Sequence, residues 1–210
     1  MTYSVKEIFK TLQGEGFYTG RAAVFCRFTG CNFWNGNNPD RINSVCKFCD
    51  TDFIGINGCN GGKFRSASLL VKEISRVWGE GDFSRYVVLT GGEPLLQLDS
   101  DLLNELHNNG FEVGVETNGS IIPPKNIDWI CVSPKDLNHM VLREGNELKL
   151  VFPQDSICPD NFINMDFQHF YLQPMYSDNL SLNIDLAVDY CKKNPKWRLS
   201  LQTHKYIGIP

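Results

Sequence analysis

No apolar run in the sequence approaches the ~18–20 residues that a membrane-crossing helix needs. Met1-Thr-Tyr-Ser lacks the charged start and apolar core of a secretory signal, so a cytoplasmic protein is expected. There is no basic excess: 20 Lys and Arg stand against 24 Asp and Glu, a net charge of -4. That balance argues against a nucleic-acid-binding surface. Internal repeats and low-complexity segments are absent too. What remains is an ordinary globular composition, 42% apolar over 210 residues, enough for one domain with a sizeable core. Eight cysteines in a reducing compartment read as thiols or metal ligands rather than disulfides.

The cysteines divide by context. Cys31, Cys46 and Cys49 sit in one polar stretch with no histidine nearby, the last two as C-x2-C. Thiolates so spaced can converge on one metal centre. Three of them can ligate three irons of a [4Fe–4S] cluster and leave the fourth iron open to a reactant. Cys26 alternates with Val24 and Phe28 in a strand and reads as core, and so does Cys131 in Trp129-Ile-Cys-Val132. Cys59, Cys158 and Cys191 read as incidental. A rival is a structural zinc on Cys26, Cys31, Cys46 and Cys49. Strand geometry opposes it, because Cys26 would have to leave a buried face.

Taken in order, a short strand, Val5 to Phe9, runs into Gln13-Gly-Glu-Gly16, a tight loop open to close backbone approach. Ala22 to Phe28 is the first core strand. A loop over 29–63 follows, rich in Asn, Gly and Pro. Ser66 caps a helix with Leu69, Leu70, Ile74, Val77 and Trp78 on its apolar face. Tyr86 to Leu89 is a strand ending in Thr90-Gly-Gly-Glu-Pro94, and a helix runs on to about Asn109. Further strands are expected at 111–115, 129–132, 147–152, 169–172 and 197–201, with a helix at about 182–193. The segments 121–128 and 136–146 offer no good crossover helix.

Short apolar strands alternating with helices imply parallel βα units. The uneven helices point to an α/β fold, a partial βα barrel with reduced helix content, as one domain over 1–210. Arg27, Thr90, Glu116, Ser133 and Gln173 fall at or near strand C-terminal ends, with His204 just past the last one. That rim carries the active site in βα barrels. In the Gly-Gly-Glu turn the glycines free the backbone for a ligand, Glu93 offers an acceptor for a cationic group, and Pro94 can start a helix.

A cysteine triad followed by Gly91-Gly92-Glu93 resembles the radical S-adenosylmethionine enzymes. The fourteen residues between Cys31 and Cys46 depart from their usual C-x3-C-x2-C. Thr11-Leu-Gln-Gly-Glu-Gly16, Phe25-Cys-Arg-Phe28, Cys46-Lys-Phe-Cys-Asp-Thr51, Thr90-Gly-Gly-Glu-Pro94, Glu116-Thr-Asn-Gly119 and Ser133-Pro-Lys135 resemble the 7-carboxy-7-deazaguanine synthase family. The branch is the one with an enlarged cluster loop.

That resemblance implies contraction of 6-carboxy-5,6,7,8-tetrahydropterin to 7-carboxy-7-deazaguanine, with loss of ammonia, for queuosine-type nucleosides. It implies a [4Fe–4S] cluster on Cys31, Cys46 and Cys49, S-adenosylmethionine as regenerated radical source, and Mg2+. It assigns the cofactor to Phe48, Cys49, Asp50, Gly92, Ser133, Pro134, Lys135, Gln173, Pro174, Met175 and Tyr176. It assigns the pterin to Leu12, Gln13, Gly14, Glu15, Arg27, Thr90, Glu116, Asn118 and His204, with Lys149 pointing the same way. Arg27 is a fork-shaped donor suited to the substrate carboxylate. Thr51 offers a hard oxygen to Mg2+, or a turn-stabilising hydroxyl. The tail, 202–210, is expected to fold back so that the Pro210 carboxylate meets the aminopyrimidinone edge. Also implied are a homodimer and an electron donor such as flavodoxin, with no direct nucleic-acid or membrane partner. The alternatives are another radical enzyme, such as a glycyl-radical activase, and a non-enzymatic zinc module.

Overall fold

The structure is a computed structural model that describes residues 1–81 and 83–210. Among the described residues nine strands form one sheet: β1 (Tyr3–Leu12), β2 (Ala22–Phe28), β3 (Gly62–Phe64), β4 (Tyr86–Gly91), β5 (Glu112–Thr117), β6 (Trp129–Val132), β7 (Glu144–Phe152), β8 (Asp166–Pro174) and β9 (Trp197–Leu199). Their spatial order is β3-β1-β2-β4-β5-β6-β7-β8-β9. From β2 to β9 every pairing is parallel, while β1 runs antiparallel to both β2 and β3. The helices are α1 (Ala67–Trp78), α2 (Ser100–Asn108), α3 (Leu180–Lys193) and a short α4 (Thr203–Ile207). No helix is long and apolar enough to cross a membrane, among the described residues.

Period-2 alternation sorts the strands into two faces. Val24, Cys26, Phe28, Val87, Leu89, Val113, Val115, Leu148, Leu150, Phe170 and Leu172 face the core with α1 and α2 residues such as Leu70, Ile74 and Leu102. The intervening residues, among them Arg27, Thr90, Glu116 and Lys149, line a concave face. Cys26 is therefore sealed on the helix side, away from the cysteine loop, which removes the four-thiolate zinc reading. Cys131 is buried as expected but on the concave side, beside Glu116 and Glu147 rather than in the helix-side core.

The helix starts follow their caps. Ser66 accepts from Leu69 N–H at the head of α1. The helix expected straight after Pro94 is split: residues 94–96 form one 3-10 turn, and α2 begins only where Asp99 accepts from Leu102 N–H. Three further readings are corrected. β1 and β7 are longer than their apolar stretches, because polar residues continue each ladder. The Gly-rich loop contains β3, whose backbone pairs with β1. The tail is not strand-like after Leu199 but turns into α4.

The sheet stays open between its edge strands, and the β1–β2 connection spans the gap. Gly16 N–H bonds Ser200 Oγ at 2.9 Å, and Gly14 O accepts from Thr203 N–H at 2.9 Å. Beyond it, Phe17 stacks on His169 and Trp129, with centroids 4.3 and 5.0 Å away, and Tyr18 packs on Trp129 and Tyr86. Arg21 covers Tyr18 and Tyr86 and pairs with Glu112. These rings meet the N-terminal ends of β4, β5 and β6, so the barrel floor is plugged by aromatic packing.

Candidate active site

A cavity of about 350 Å³ occupies the concave face, within the range of small-molecule sites. Its floor comes from the β1–β2 connection: Leu12, Gln13, Gly14 and Glu15. Its wall holds Arg27, Thr90, Glu116, Asn118 and Ser133, from the ends of four strands, β2, β4, β5 and β6. Phe48, Cys49, Asp50, Thr51 and Lys135 close one side, and Gln173, Pro174, Met175 and Tyr176 the other. His204 and Pro210 border it from the tail. Of the expected site residues, Cys31, Cys46, Gly92 and Pro134 do not line this cavity.

The floor is a buried ionic network. Lys149, 4% exposed, pairs with Glu15 and lies 3.5 Å from Glu116. Burial works against its charge, but Glu116 and Glu15 outweigh that and hold the ammonium well above the ordinary lysine range. Burial likewise opposes ionisation of Glu15, and Lys149 reverses it, holding that carboxyl low. Gln13 Nε2 donates to Glu116 at 3.1 Å, and Gln202 Nε2 donates to Glu15 at 2.9 Å. Gly14 has no room for a side chain: a Cβ would lie 2.1 Å from His204 Nδ1.

Arg27 is oriented by a neighbour that the sequence reading did not single out. A register irregularity in β1 between Val5 and Glu7 sets Glu7 opposite Arg27, and its carboxylate accepts from Nε at 2.8 Å. The bond to Nε leaves the two terminal nitrogens as a fork.

The cysteine loop has its own small core, in which Phe33, Trp34 and Phe53 are buried. Arg41 lies 3.8 Å from the Trp34 ring centroid and donates to Cys49 O at 2.9 Å. Phe33 N–H points at Cys31 Sγ, 3.4 Å away, and burial pushes that thiol up. A hydrogen bond with Cys46 holds Cys49 low and raises Cys46 in turn; Lys135 also favours the thiolates. Among the described residues no three His, Cys, Asp or Glu side chains already form a metal cage, so the sulfurs are gathered along one rim rather than locked on a point.

Gly92 belongs to the same rim. A Cβ there would lie 2.1 Å from Gly30 O and 2.8 Å from Cys31 Cβ, so the turn after β4 presses on the start of the cysteine loop. Lys135 bonds Ser133 Oγ and stands over the Phe48 ring. An all-thiol donor set beside a side-chain-free backbone turn fits an iron–sulfur cluster with a ligand alongside.

Glu93 corrects one expectation. It is fully buried and accepts from Leu95 N–H, Asn118 N–H and Thr117 Oγ1, at 3.0, 2.8 and 2.8 Å. It ties the β4 turn to β5 and offers nothing to a cationic ligand. Asp50 pairs with Lys205, whose ammonium sits 3.5 Å from the Tyr176 ring centroid. The tail's carbonyl Pro210 O accepts from Thr11 Oγ1 at 2.9 Å.

Sequence reasoning passed over Glu7, Glu147, Ser200 and Lys205. A signal for Glu147 was present: Glu147 and Lys149 alternate with Leu148 and Leu150 in a strand that would otherwise be apolar.

A family model described as the radical SAM superfamily matches residues 40–141, a span that opens after Cys31. Over its whole length the chain is 58% identical to a 7-carboxy-7-deazaguanine synthase of Bordetella pertussis, and 55% identical to one of Burkholderia multivorans, in each case covering 100% of both chains. The crystal structure of QueE from Escherichia coli superposes with a TM-score of 0.72 at 27% identity, covering 97% of this chain and 95% of that one. With its cysteine rim, Gly-Gly turn and open βα sheet, the chain belongs to the 7-carboxy-7-deazaguanine synthase family of the radical SAM superfamily.

Proposed function

We propose that the protein contracts 6-carboxy-5,6,7,8-tetrahydropterin to 7-carboxy-7-deazaguanine with loss of ammonia, in 7-deazapurine biosynthesis. The observation that supports this is one cavity lined both by Cys49, the last cysteine of the loop, and by the Arg27 fork. Cofactor chemistry and a carboxylate-bearing ring would then share one space.

In this reading Cys31, Cys46 and Cys49 hold the [4Fe–4S] cluster that the family implies. S-adenosylmethionine lies along Gly92, Phe48, Asp50, Ser133 to Lys135 and Gln173 to Tyr176. When bound, the reduced cluster and S-adenosylmethionine supply one-electron chemistry for hydrogen abstraction. Arg27 receives the substrate carboxylate through its terminal nitrogens. Gln13, Glu116, Thr90 and Asn118 present donors and acceptors to the ring edge, and the Pro210 carboxylate and His204 close over it. Lys149 pairs with Glu15 and holds its carboxyl low, so Glu15 acts as a fixed acceptor. Thr51, on the cavity wall beside Asp50, is the candidate Mg2+ ligand, since its hydroxyl is a hard oxygen. A flavodoxin-like electron donor, a homodimer and a cytoplasmic setting complete the reading.

The test is anaerobic reconstitution followed by assay on the tetrahydropterin. Carboxydeazaguanine should form without net consumption of S-adenosylmethionine. A protein with a full cluster and bound S-adenosylmethionine that leaves the pterin unchanged would end the proposal. One that consumes S-adenosylmethionine stoichiometrically would point to another radical reaction.

A further inference from the structure

Glu147 has no part in the chemistry above, yet it is a carboxylate only 3% exposed on the concave face. We propose that it is a positioning residue: it clasps the turn at Gly16 and Phe17, and so holds Gln13 and Glu15 against the pterin pocket. The inference rests on the pocket reading given under Proposed function.

Strand alternation puts Glu147 and Lys149 side by side on β7, and the two grip one loop at different points. Lys149 pairs with the Glu15 side chain. Glu147 Oε2 accepts from Phe17 N–H at 3.2 Å. The next amide back, Gly16 N–H, goes to Ser200 Oγ at 2.9 Å. Two successive amides of a surface connection are therefore bonded by side chains 130 and 184 residues away in sequence, one on β7 and one just past β9.

Gly16 shows how close the fit is. Its φ is +67°, and a Cβ there would lie 1.9 Å from Glu147 Oε1. The carboxylate fills the volume that any side chain at Gly16 would take. On the far side Phe17 is fixed by its stack on His169 and Trp129. Between Glu147, Glu116, Glu15 and Gln13 the free space is only about 10 Å³, room for about one water, so the loop has little slack. Without the clasp, Phe17 N–H loses its acceptor, and the bonds from Gln13 to Glu116 and from Glu15 to Lys149 lose their alignment. The S-adenosylmethionine side, built from Gly92 and Ser133 to Lys135, is not touched.

The test uses the reconstituted holoenzyme. Glu147→Ala should raise KM for carboxytetrahydropterin about tenfold or more while S-adenosylmethionine affinity stays within about twofold. Amide exchange at Gly16 and Phe17 should quicken by about tenfold or more. Glu147→Gln keeps a carbonyl oxygen for Phe17 N–H and should bring KM back to within about threefold of the unaltered enzyme. An unchanged KM and exchange in Glu147→Ala overturns the proposal. So does an equal loss of both ligands that Gln does not rescue. Should Glu147→Ala not fold, Gly16→Ala presses on the same carboxylate from the loop side. A pterin-selective rise in KM there supports the clasp, and an unchanged KM overturns it. If the unaltered holoenzyme does not turn over the pterin, the pocket reading falls and takes this inference with it. If it turns over normally and the variants match it, only the inference falls.

Discussion

The cysteine loop and the barrel floor are built in opposite ways. In the loop, one continuous stretch supplies all three sulfurs and packs them with local contacts, Phe33 with Cys31, Arg41 with Cys49 and Trp34 with Phe53, while Lys6, Asn32 and Lys205 tie it to the barrel. Its surface keeps Ile42, Val45 and Ile54 exposed. On the floor, residues from the β1–β2 connection, β5, β7 and the tail meet in one network of hydrogen bonds and ion pairs. A locally built site should fail one ligand at a time. A site assembled across the sheet should fail as a network and take stability with it.

The largest expected effect breaks the loop side alone. Replacing Cys31, Cys46 or Cys49 by Ala should remove the cluster's visible absorbance and lower turnover by on the order of 10³ or more. Thermal stability of the apoprotein should hardly change. Cys26→Ala is the converse: the cluster persists, and a fully buried site loses roughly 1–2 kcal/mol of stability. Cluster content against denaturation midpoint separates the two. Loss of the cluster in Cys26→Ala would restore the four-thiolate reading.

On the floor, Lys149→Ala leaves Glu15 and Glu116 without their cation in a buried site. Removing one partner of a buried ionic group costs about 3–5 kcal/mol, so stability and pterin turnover should fall together. Urea denaturation checks the first. A variant as stable as the parent would mean that the floor is no network.

How readily each region is read from sequence follows from the same contrast. The C-x2-C pair and the Gly-Gly turn are short motifs that stand out in the sequence; in the structure Gly92 presses on Cys31, and Cys49 of the triad lines the cavity. The strands were legible wherever the helix-side face carries aliphatic residues, as in Val87 and Leu89 or Leu148 and Leu150. β3 was not, because its Gly-Lys-Phe carries no pattern and exists by pairing with β1. Glu93 was misjudged because a Gly-Gly-Glu turn does not show which way its carboxylate points; only the neighbouring β5 decides that. Glu7 became visible only once β1 was paired with β2 and its register irregularity placed it across from Arg27. The plug was missed because Phe17 and Tyr18 look like an exposed turn until the barrel gives them Trp129 and His169 to lie on.

A smaller effect sharpens the boundary between the regions. In Gly92→Ala the added methyl must displace Gly30 O, 2.1 Å away, or Cys31. S-adenosylmethionine affinity should drop about tenfold, near 1.4 kcal/mol, with the pterin KM little altered. Equilibrium binding on the reconstituted enzyme decides it, and an equal fall in pterin affinity would show that the rim and the floor are coupled.

The smallest expected effect concerns the charge on the clasp. Burial pushes the Glu147 carboxyl above its ordinary 4.5, and the pull of Lys149 and of Phe17 N–H does not bring it back. A group raised on folding contributes stability that is complete below its unfolded value and is lost as pH climbs through its folded one. Glu15 runs the other way: held low by Lys149, its contribution is present above the ordinary carboxylate value and fades only in more acid solution. As pH climbs above about 4.5, then, the parent should lose stability that Glu147→Gln does not. The difference between their urea midpoints should drift above that pH and level off below it. A flat difference would mean that Glu147 is ionised throughout, so the clasp on Phe17 would be a charge-assisted bond and the Gln rescue of pterin affinity should then be incomplete.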